Sequence, residues 1–137
     1  IDINPEVREW KIPQMIIHTI IENEYKYAVN INQMLTILIK ASKADVNGEE
    51  MLYVEVEDDG AGYPKEVLQF FENQENTISK TGERVGLKSV KRMMELMYER
   101  EGLFTISNIE PHGCKNTFRI PAHAVQEMKE QKQIKMD

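Results

Sequence analysis

This sequence has little cysteine, no excess of positive charge and no long apolar run, and each of these absences argues against a class of protein. The single cysteine, Cys114, can form no disulfide within the chain and excludes a cysteine-rich metal site. Lys and Arg number 17 against 23 Asp and Glu, and the net charge of -6 argues against a nucleic-acid partner. No run approaches the roughly 18–20 apolar residues of a membrane-spanning helix.

What remains is the composition of one globular domain. The chain has 137 residues, of which 41% are hydrophobic and 29% charged, enough to bury a core. We expect a folded domain over residues 1–121 and a polar tail or helix over 122–137, where Lys, Glu and Gln dominate. The sequence begins at Ile1 without an initiator Met, so we interpret it as a piece of a longer protein.

Hydrophobic periodicity predicts a succession of helices and strands. Leu52, Val54 and Val56 alternate with polar residues as in a half-buried strand, and Asn47-Gly48 is a strong hairpin signal. The same reasoning predicts helices over 12–29, 64–72 and 85–100 and strands over 34–41, 51–57, 103–109 and 117–121. This order favours an α+β fold, a two-layer α/β sandwich with helices on one face of a mixed, mainly antiparallel sheet.

The first of three polar clusters lies toward the end of the long helix and contains Glu22, Asn23, Lys26 and Tyr27. Taken alone, such residues most often form the solvent-facing side of a helix. An Asn oxygen also suits Mg²⁺, which takes few protein ligands beside substrate phosphates. Lys26, about one turn further on, could reach a phosphate.

The second cluster is the segment 58–62, Asp-Asp-Gly-Ala-Gly, directly after the alternating strand. An Asp-Gly turn is common and by itself uninformative. A carboxylate at a strand end, followed by Gly60 and Gly62, also suits recognition of an amine such as that of adenine. The glycines matter because they let a ligand approach the backbone.

The third cluster is the segment 82–89, in which Gly82 and Gly86 lead into a helix. Helix N-termini bind anions through their unpaired N–H groups and the helix dipole. The segment matches neither a Walker A motif nor the Rossmann spacing. Residues 73–84 are polar and aperiodic, and a structureless loop of about a dozen residues in a compact domain is usually functional or mobile.

The order of these clusters resembles the ATP-binding domain of sensor histidine kinases, in the GHKL superfamily that includes gyrase, Hsp90 and MutL. More closely it resembles the LytS/YesM-like kinases. The matching segments are 12–15 (Ile-Pro-Gln-Met), 20–28 (Ile-Ile-Glu-Asn-Glu-Tyr-Lys-Tyr-Ala), 58–62, 86–90 (Gly-Leu-Lys-Ser-Val), 96–98 (Leu-Met-Tyr) and 116–121. Each segment alone is weak, but their order and spacing are specific and cover nearly the whole chain up to Ala122. The resemblance implies a Bergerat-type ATP-binding fold.

The resemblance also implies a nucleotide site with ATP and Mg²⁺. Asn23 would ligate Mg²⁺, and Asp58 would accept a hydrogen bond from the adenine amino group. Thr117 would lie beside the base, and residues 73–84 would form a lid over ATP. The implied nucleotide-binding residues are Asn23, Lys26, Tyr27, Asp58, Gly60, Gly62, Tyr63, Gly82, Arg84, Gly86, Leu87 and Thr117.

Several positions depart from the family pattern. The departures are Glu24 for Ala, Tyr27 for His, Asp59 for Asn, Arg84 for Gly, Ser89 for Asn, Met93 for Arg and Asn116 for Gly. Extra carboxylates near a triphosphate disfavour its binding unless a metal ion or an Arg compensates. These departures keep an alternative open: a degenerate kinase-like domain that acts as a protein-interaction module without efficient ATP binding.

The resemblance further implies a type of reaction. ATPases of the superfamily place a Glu four residues before the Mg-binding Asn, and that position here is Thr19. Glu22 is adjacent to Asn23, so it points about 100° away around the helix. This arrangement argues against hydrolysis and for phosphoryl transfer to a protein acceptor, in which the domain mainly positions and neutralises ATP. We therefore assign no catalytic residue within the chain and expect a protein-histidine kinase that is inactive without its acceptor domain.

The acceptor histidine is expected outside this sequence. His18, His112 and His123 occupy ordinary helix, turn and tail positions. The phosphoacceptor and the dimerisation helices should therefore lie upstream of residue 1. By resemblance, the full-length protein is expected to be a homodimeric, membrane-anchored receptor of a two-component system. This domain would lie in the cytoplasm, with a cognate response regulator as partner.

Overall fold

The fold is described by a computed structural model that covers residues 1–7, 12, 14–72 and 85–122. Its elements are β1 (Asp2–Ile3), a 3-10 helix (Pro5–Val7), α1 (Gln14–Asn30), β2 (Ile37–Val46), β3 (Glu49–Asp58), α2 (Lys65–Glu72), α3 (Val85–Tyr98), β4 (Phe104–Asn108) and β5 (Cys114–Pro121). Within these residues, no helix combines the length and the apolar character that crossing a membrane requires.

The strands form one mixed sheet in the order β1-β2-β3-β5-β4. β1 pairs with β2 in parallel, and the other neighbours are antiparallel. The β2–β3 hairpin turns at Asn47 (φ 52°) and Gly48 (φ 82°), two left-handed residues as a tight hairpin turn requires. β3 therefore lies in the centre of the sheet, and its last residue, Asp58, is flanked by strands on both sides.

The core lies between one face of the sheet and the helices. Alternate side chains of β3 and β5 are buried on this face, because successive residues of a strand point to opposite sides. The sheet contributes Leu52, Val54, Val56, Phe118 and Ile120, and the helices contribute Ile16, Ile20, Phe71, Leu87, Val90 and Met94. The intervening residues Tyr53, Glu55 and Arg119 are only partly buried. The predicted two-layer α+β architecture is thereby confirmed.

Some boundaries differ from those that the sequence predicts. β5 begins at Cys114 rather than at Thr117, because Cys114 still pairs with Asp58 on one side and Asn108 on the other. β2 covers Ile37–Val46 rather than 34–41, and the short strand β1 was not predicted. The predicted lid, 73–84, and the tail from residue 123 onward lie outside the described residues.

Candidate functional site

The candidate site is built around Asp58, where the central strand β3 ends. Its side chain is buried, with 5% exposure. One carboxylate oxygen accepts a hydrogen bond from the N–H of Gly60 at 2.9 Å, and the other accepts one from the thiol of Cys114 at 2.6 Å. Gly60 follows two residues later in the loop, and Cys114 is the register partner of Asp58 on β5. Both donors are thus placed by the backbone itself.

Helix α1 brings a second carboxyl group, that of Glu24, to the same place. Glu24 is 3% exposed and hydrogen-bonds to Asp58. One oxygen of each carboxyl and the sulfur of Cys114 all lie within 4.8 Å of one another. A cation could use these three ligand atoms, but it would first have to displace the protons that now join them.

The hydrogen bonds of Asp58 set its protonation state. Burial is the largest influence and favours the neutral acid, but donors from Glu24, the Cys114 thiol and the backbone N–H groups of Gly60 and Cys114 outweigh it. The pKa of Asp58 is therefore lowered. A carboxyl group donates a hydrogen bond only through its proton, so the contact between Asp58 and Glu24 requires one proton shared by the two groups.

Asn116 connects Glu24 to the rest of the site. Its Nδ2 lies 3.4 Å from Oε1 of Glu24 and 3.3 Å from the carbonyl oxygen of Val56. Its Oδ1 accepts a hydrogen bond of 2.6 Å from the hydroxyl of Tyr63. Tyr63, Asn116, Glu24 and Asp58 are all buried, so these contacts form one continuous polar network beneath the loop after β3.

The loop after β3 is fixed to β4 by a reciprocal pair of hydrogen bonds. The N–H of Tyr63 donates to Oδ1 of Asn108 at 2.6 Å, and Nδ2 of Asn108 donates to the carbonyl of Tyr63 at 3.0 Å. Gly62 adopts φ 91°, and a Cβ there would lie 3.0 Å from the same Oδ1. Glycine is therefore required at Gly62 both by its backbone conformation and by the close approach of Asn108.

Gly113 supports the site from the opposite side. It adopts φ 118°, and a Cβ there would overlap the carbonyl oxygen of Asp58. The close approach of these two backbones seats Asp58 against the loop before β5. The sequence analysis gave Gly113 no role at the site.

We expect Gly113→Ala to destabilise the domain more than Gly102→Ala. Both glycines have positive φ, which costs about 1–2 kcal/mol for a residue with a Cβ. Gly102 has nothing within 4 Å of the added atom, whereas Gly113 meets Asp58, and such overpacking adds about 1–3 kcal/mol. Thermal unfolding of the two variants measures the difference. Equal losses of melting temperature would show that Asp58 can move away from the added methyl group.

The start of α3 meets the end of α1 at a second part of the site. A Cβ on Gly86 would lie 2.7 Å from Oδ1 and 2.8 Å from Nδ2 of Asn23. The Asn23 amide thus packs directly on the first turn of α3. Its Nδ2 is buried and has no hydrogen-bond partner among the residues that the structure describes. The amide lies beside the first turn of α3, where a helix N-terminus favours negative charge.

Some of the residues that the resemblance implies do not lie beside Asp58 or beside the Asn23–Gly86 contact. Lys26 is exposed and forms an ion pair of 3.1 Å with Glu22, one turn back on α1. Leu87 is buried in the core between the helices and the sheet. Thr117 pairs with Glu55 and Thr105, so it lies on the face of the sheet opposite Asp58 and Asn116. The neighbour of Asp58 on β5 is instead Cys114.

The remaining implied residues fall on less described parts of the chain. Gly82 and Arg84 lie outside the described residues. Tyr27 belongs to α1, but its side chain is not among those described. The structure therefore assembles Asn23, Asp58, Gly60, Gly62, Tyr63 and Gly86 at one end of the sheet.

Two comparisons with known proteins match most of the chain. A family model described as "Histidine kinase-, DNA gyrase B-, and HSP90-like ATPase" matches residues 11–124. The chain is also 28% identical over 123 residues to "Sensor protein LytS" of Enterococcus faecalis. This alignment covers 88% of the chain but 20% of the relative, so the chain spans about a fifth of that protein's length.

Proposed function

Because the chain belongs to the family of histidine kinase-, DNA gyrase B- and HSP90-like ATPases, we propose that it is the ATP-binding catalytic domain of a sensor histidine kinase. In this role it positions Mg-ATP so that the γ-phosphoryl group reaches a histidine on an upstream dimerisation domain. The observation that carries the proposal is the packing of the Asn23 amide on Gly86 in the first turn of α3, because an amide oxygen there would lie beside a helix N-terminus. That pairing suits a nucleotide phosphate and its metal ion.

The adenine base of ATP would bind at the other part of the site, beside Asp58. Asp58 is an ionised acceptor at the end of a central strand, and the loop with Gly60 and Gly62 passes beside it. An exocyclic amine such as that of adenine donates the kind of hydrogen bond that a buried carboxylate accepts. The two parts are joined by α1, which carries Asn23 toward the phosphates and Glu24 toward Asp58.

Asn23 fits the requirements of a magnesium ligand. Mg²⁺ takes one or two protein ligands and otherwise keeps waters and phosphate oxygens. The amide oxygen of Asn23 can supply one of these ligands without adding negative charge. When bound, the ion neutralises the phosphates during phosphoryl transfer.

The chain itself supplies no base for hydrolysis at the position used by the ATPases of the superfamily. Thr19 lies one turn before Asn23 on α1, and the carboxylate of Glu22 is bound to Lys26 at the surface. Transfer to a protein acceptor is therefore the reaction that the site supports, rather than attack by an activated water.

The wider assembly follows from the same proposal. The likeness to a sensor protein supports a two-component system, in which this domain is the cytoplasmic part of a membrane-anchored, homodimeric receptor. The partners would then be the upstream dimerisation domain and a cognate response regulator. The lid would be the segment 73–84, and 122–137 would follow the domain as a polar tail or helix.

A second function is favoured by one observation. Asp58 already accepts hydrogen bonds from Glu24, Cys114 and Gly60, so the acceptor for adenine is used within the protein. A degenerate domain that retains the fold and acts through protein contacts would show this arrangement. Whether Mg-ATP raises the melting temperature distinguishes the two functions.

Phosphoryl transfer tests the proposal directly. Incubated with γ-labelled ATP and Mg²⁺, the 137-residue chain should form no acid-labile phosphohistidine and release phosphate only at background rate. Addition of the upstream helical segment from the full-length protein should produce labelling. Steady turnover by the chain alone would instead indicate an ATPase. Absence of labelling with the upstream segment, together with no stabilisation by Mg-ATP, would favour the protein-interaction module.

A further inference from the structure

The hydrogen-bonding capacity of Asp58 is filled by the protein's own groups. Its two oxygens receive the N–H of Gly60 and the thiol of Cys114, and the carboxyl of Glu24 adds a further hydrogen bond. A carboxylate offers about four acceptor positions, and the backbone N–H of Cys114 also points to this side chain. With 5% of its surface exposed, Asp58 has little room for a donor from outside.

Glu24 differs from the other donors because it comes from a separate element. Gly60 and Cys114 are placed by the chain next to Asp58 and by strand pairing, so they stay in position whatever binds. Glu24 reaches Asp58 across the layer between α1 and the sheet, and one oxygen of each carboxyl group lies within 4.8 Å of the other. Its other contact, with Nδ2 of Asn116, is long at 3.4 Å. Glu24 is therefore the donor that an incoming base can replace.

We propose that Glu24 determines nucleotide affinity by occupying, from within the protein, the position on Asp58 that the amine of a nucleotide base would use. A base can bind only by breaking the Glu24–Asp58 hydrogen bond, so the gain from its own hydrogen bond is partly offset. The inference rests on the proposed function, since it assumes that Asp58 reads a base. It goes further by naming the residue that weakens the binding of the base to Asp58.

Removal of Glu24 should therefore tighten binding. We expect Glu24→Ala to bind adenosine and ADP about tenfold more tightly than the wild-type chain, a gain at the lower end of what one hydrogen bond to an ionised group contributes. Adenosine is the informative probe because it carries no phosphate, so a change in its affinity reports on the base site alone. Isothermal calorimetry gives the affinities, and thermal unfolding shows whether each variant is folded.

Two further variants test whether Glu24 weakens binding by occupying Asp58 or by its negative charge. Glu24→Gln keeps a donor of the same length beside Asp58 and should bind adenosine as weakly as the wild type. Glu50→Gln removes one surface carboxylate at the opposite end of β3, where Glu50 pairs with Lys43, and should change nothing. If Glu24→Gln binds as tightly as Glu24→Ala, the effect is one of charge and the proposal is overturned.

The remaining outcomes also decide the matter. Binding of adenosine by the wild type with no gain in Glu24→Ala overturns the inference and leaves the proposed function intact. If neither the wild type nor any folded variant binds adenosine, ADP or Mg-ATP, the proposed function fails and the inference with it. Should Glu24→Ala not fold, Glu24→Ser, which is also too short to reach Asp58, takes its place with the same expected gain.

Discussion

Asp58→Asn is expected to weaken ATP binding about ten- to hundredfold, whereas Asp59→Asn should leave it nearly unchanged. A charge-assisted hydrogen bond to the base amine contributes roughly 1.5–3 kcal/mol, which corresponds to that range of affinity. Asp59 is exposed, and its Oδ1 accepts a hydrogen bond of 2.8 Å from the N–H of Thr36. The two variants therefore remove the same charge from adjacent residues, and only one of them faces the site.

The fold should survive the substitution at Asp58. An Asn side chain still offers an oxygen to the N–H of Gly60, which now bonds to Asp58 at 2.9 Å, so the loop after β3 retains its anchor. Thermal unfolding checks this, and calorimetric titration with ATP gives the affinities. Equal effects of the two substitutions would contradict the role of Asp58 in reading the base.

The size of the loss should depend on Glu24. In the wild type, Asp58→Asn weakens the competing bond with Glu24 as well as the bond with the base, so the two changes partly cancel. In the Glu24→Ala background only the bond with the base is lost, and the effect should approach the upper end of the range. Such coupling is what a double-mutant cycle measures for residues in direct contact.

The parts of the fold that the sequence predicted are those with strong local signals. The alternation of β3 and the Asn47-Gly48 turn are properties of neighbouring residues, and both appear in the structure. The short strand β1 has two residues and no periodicity, so its pairing with β2 depends on tertiary structure alone.

The site residues that sequence reasoning missed depend on contacts between distant segments. Cys114 and Asn116 were not assigned to a strand because Lys115 and Asn116 are polar, yet strand pairing with β3 carries β5 back to Cys114. Glu24 was noted as a departure from the family pattern, but a carboxyl group on a polar helix segment is normally expected in solvent. Its burial is stabilised by Asp58 and Asn116, which are remote in sequence. The signal available in the sequence was a glutamate at a position where the family pattern has the small residue Ala.

Asn23→Ala is expected to abolish the contribution of Mg²⁺ to ATP affinity while leaving the domain folded. The side chain packs on Gly86, and its Nδ2 has no hydrogen-bond partner among the described residues. The substitution therefore breaks no hydrogen bond that Nδ2 donates within the protein. Calorimetry with ATP in the presence of Mg²⁺ or of a chelator measures the contribution. If Mg²⁺ raises ATP affinity equally in the wild type and the variant, Asn23 is an ordinary polar residue of α1.

Gly86→Ala tests the same assignment without removing the ligand. The added methyl group would lie 2.7 Å from Oδ1 of Asn23, closer than two such atoms can pack, so the amide must move. The Mg²⁺ contribution should therefore fall in this variant as well, with a stability loss of about 1–3 kcal/mol. In the double variant with Asn23→Ala the methyl group meets no amide, and most of the lost stability should return.

Recovery of stability without recovery of the Mg²⁺ effect would show that the contact positions Asn23 and that Asn23 itself holds the metal ion. Additive losses of stability would mean that the two residues act separately, and the packing of α1 on α3 would then carry no information about the metal site.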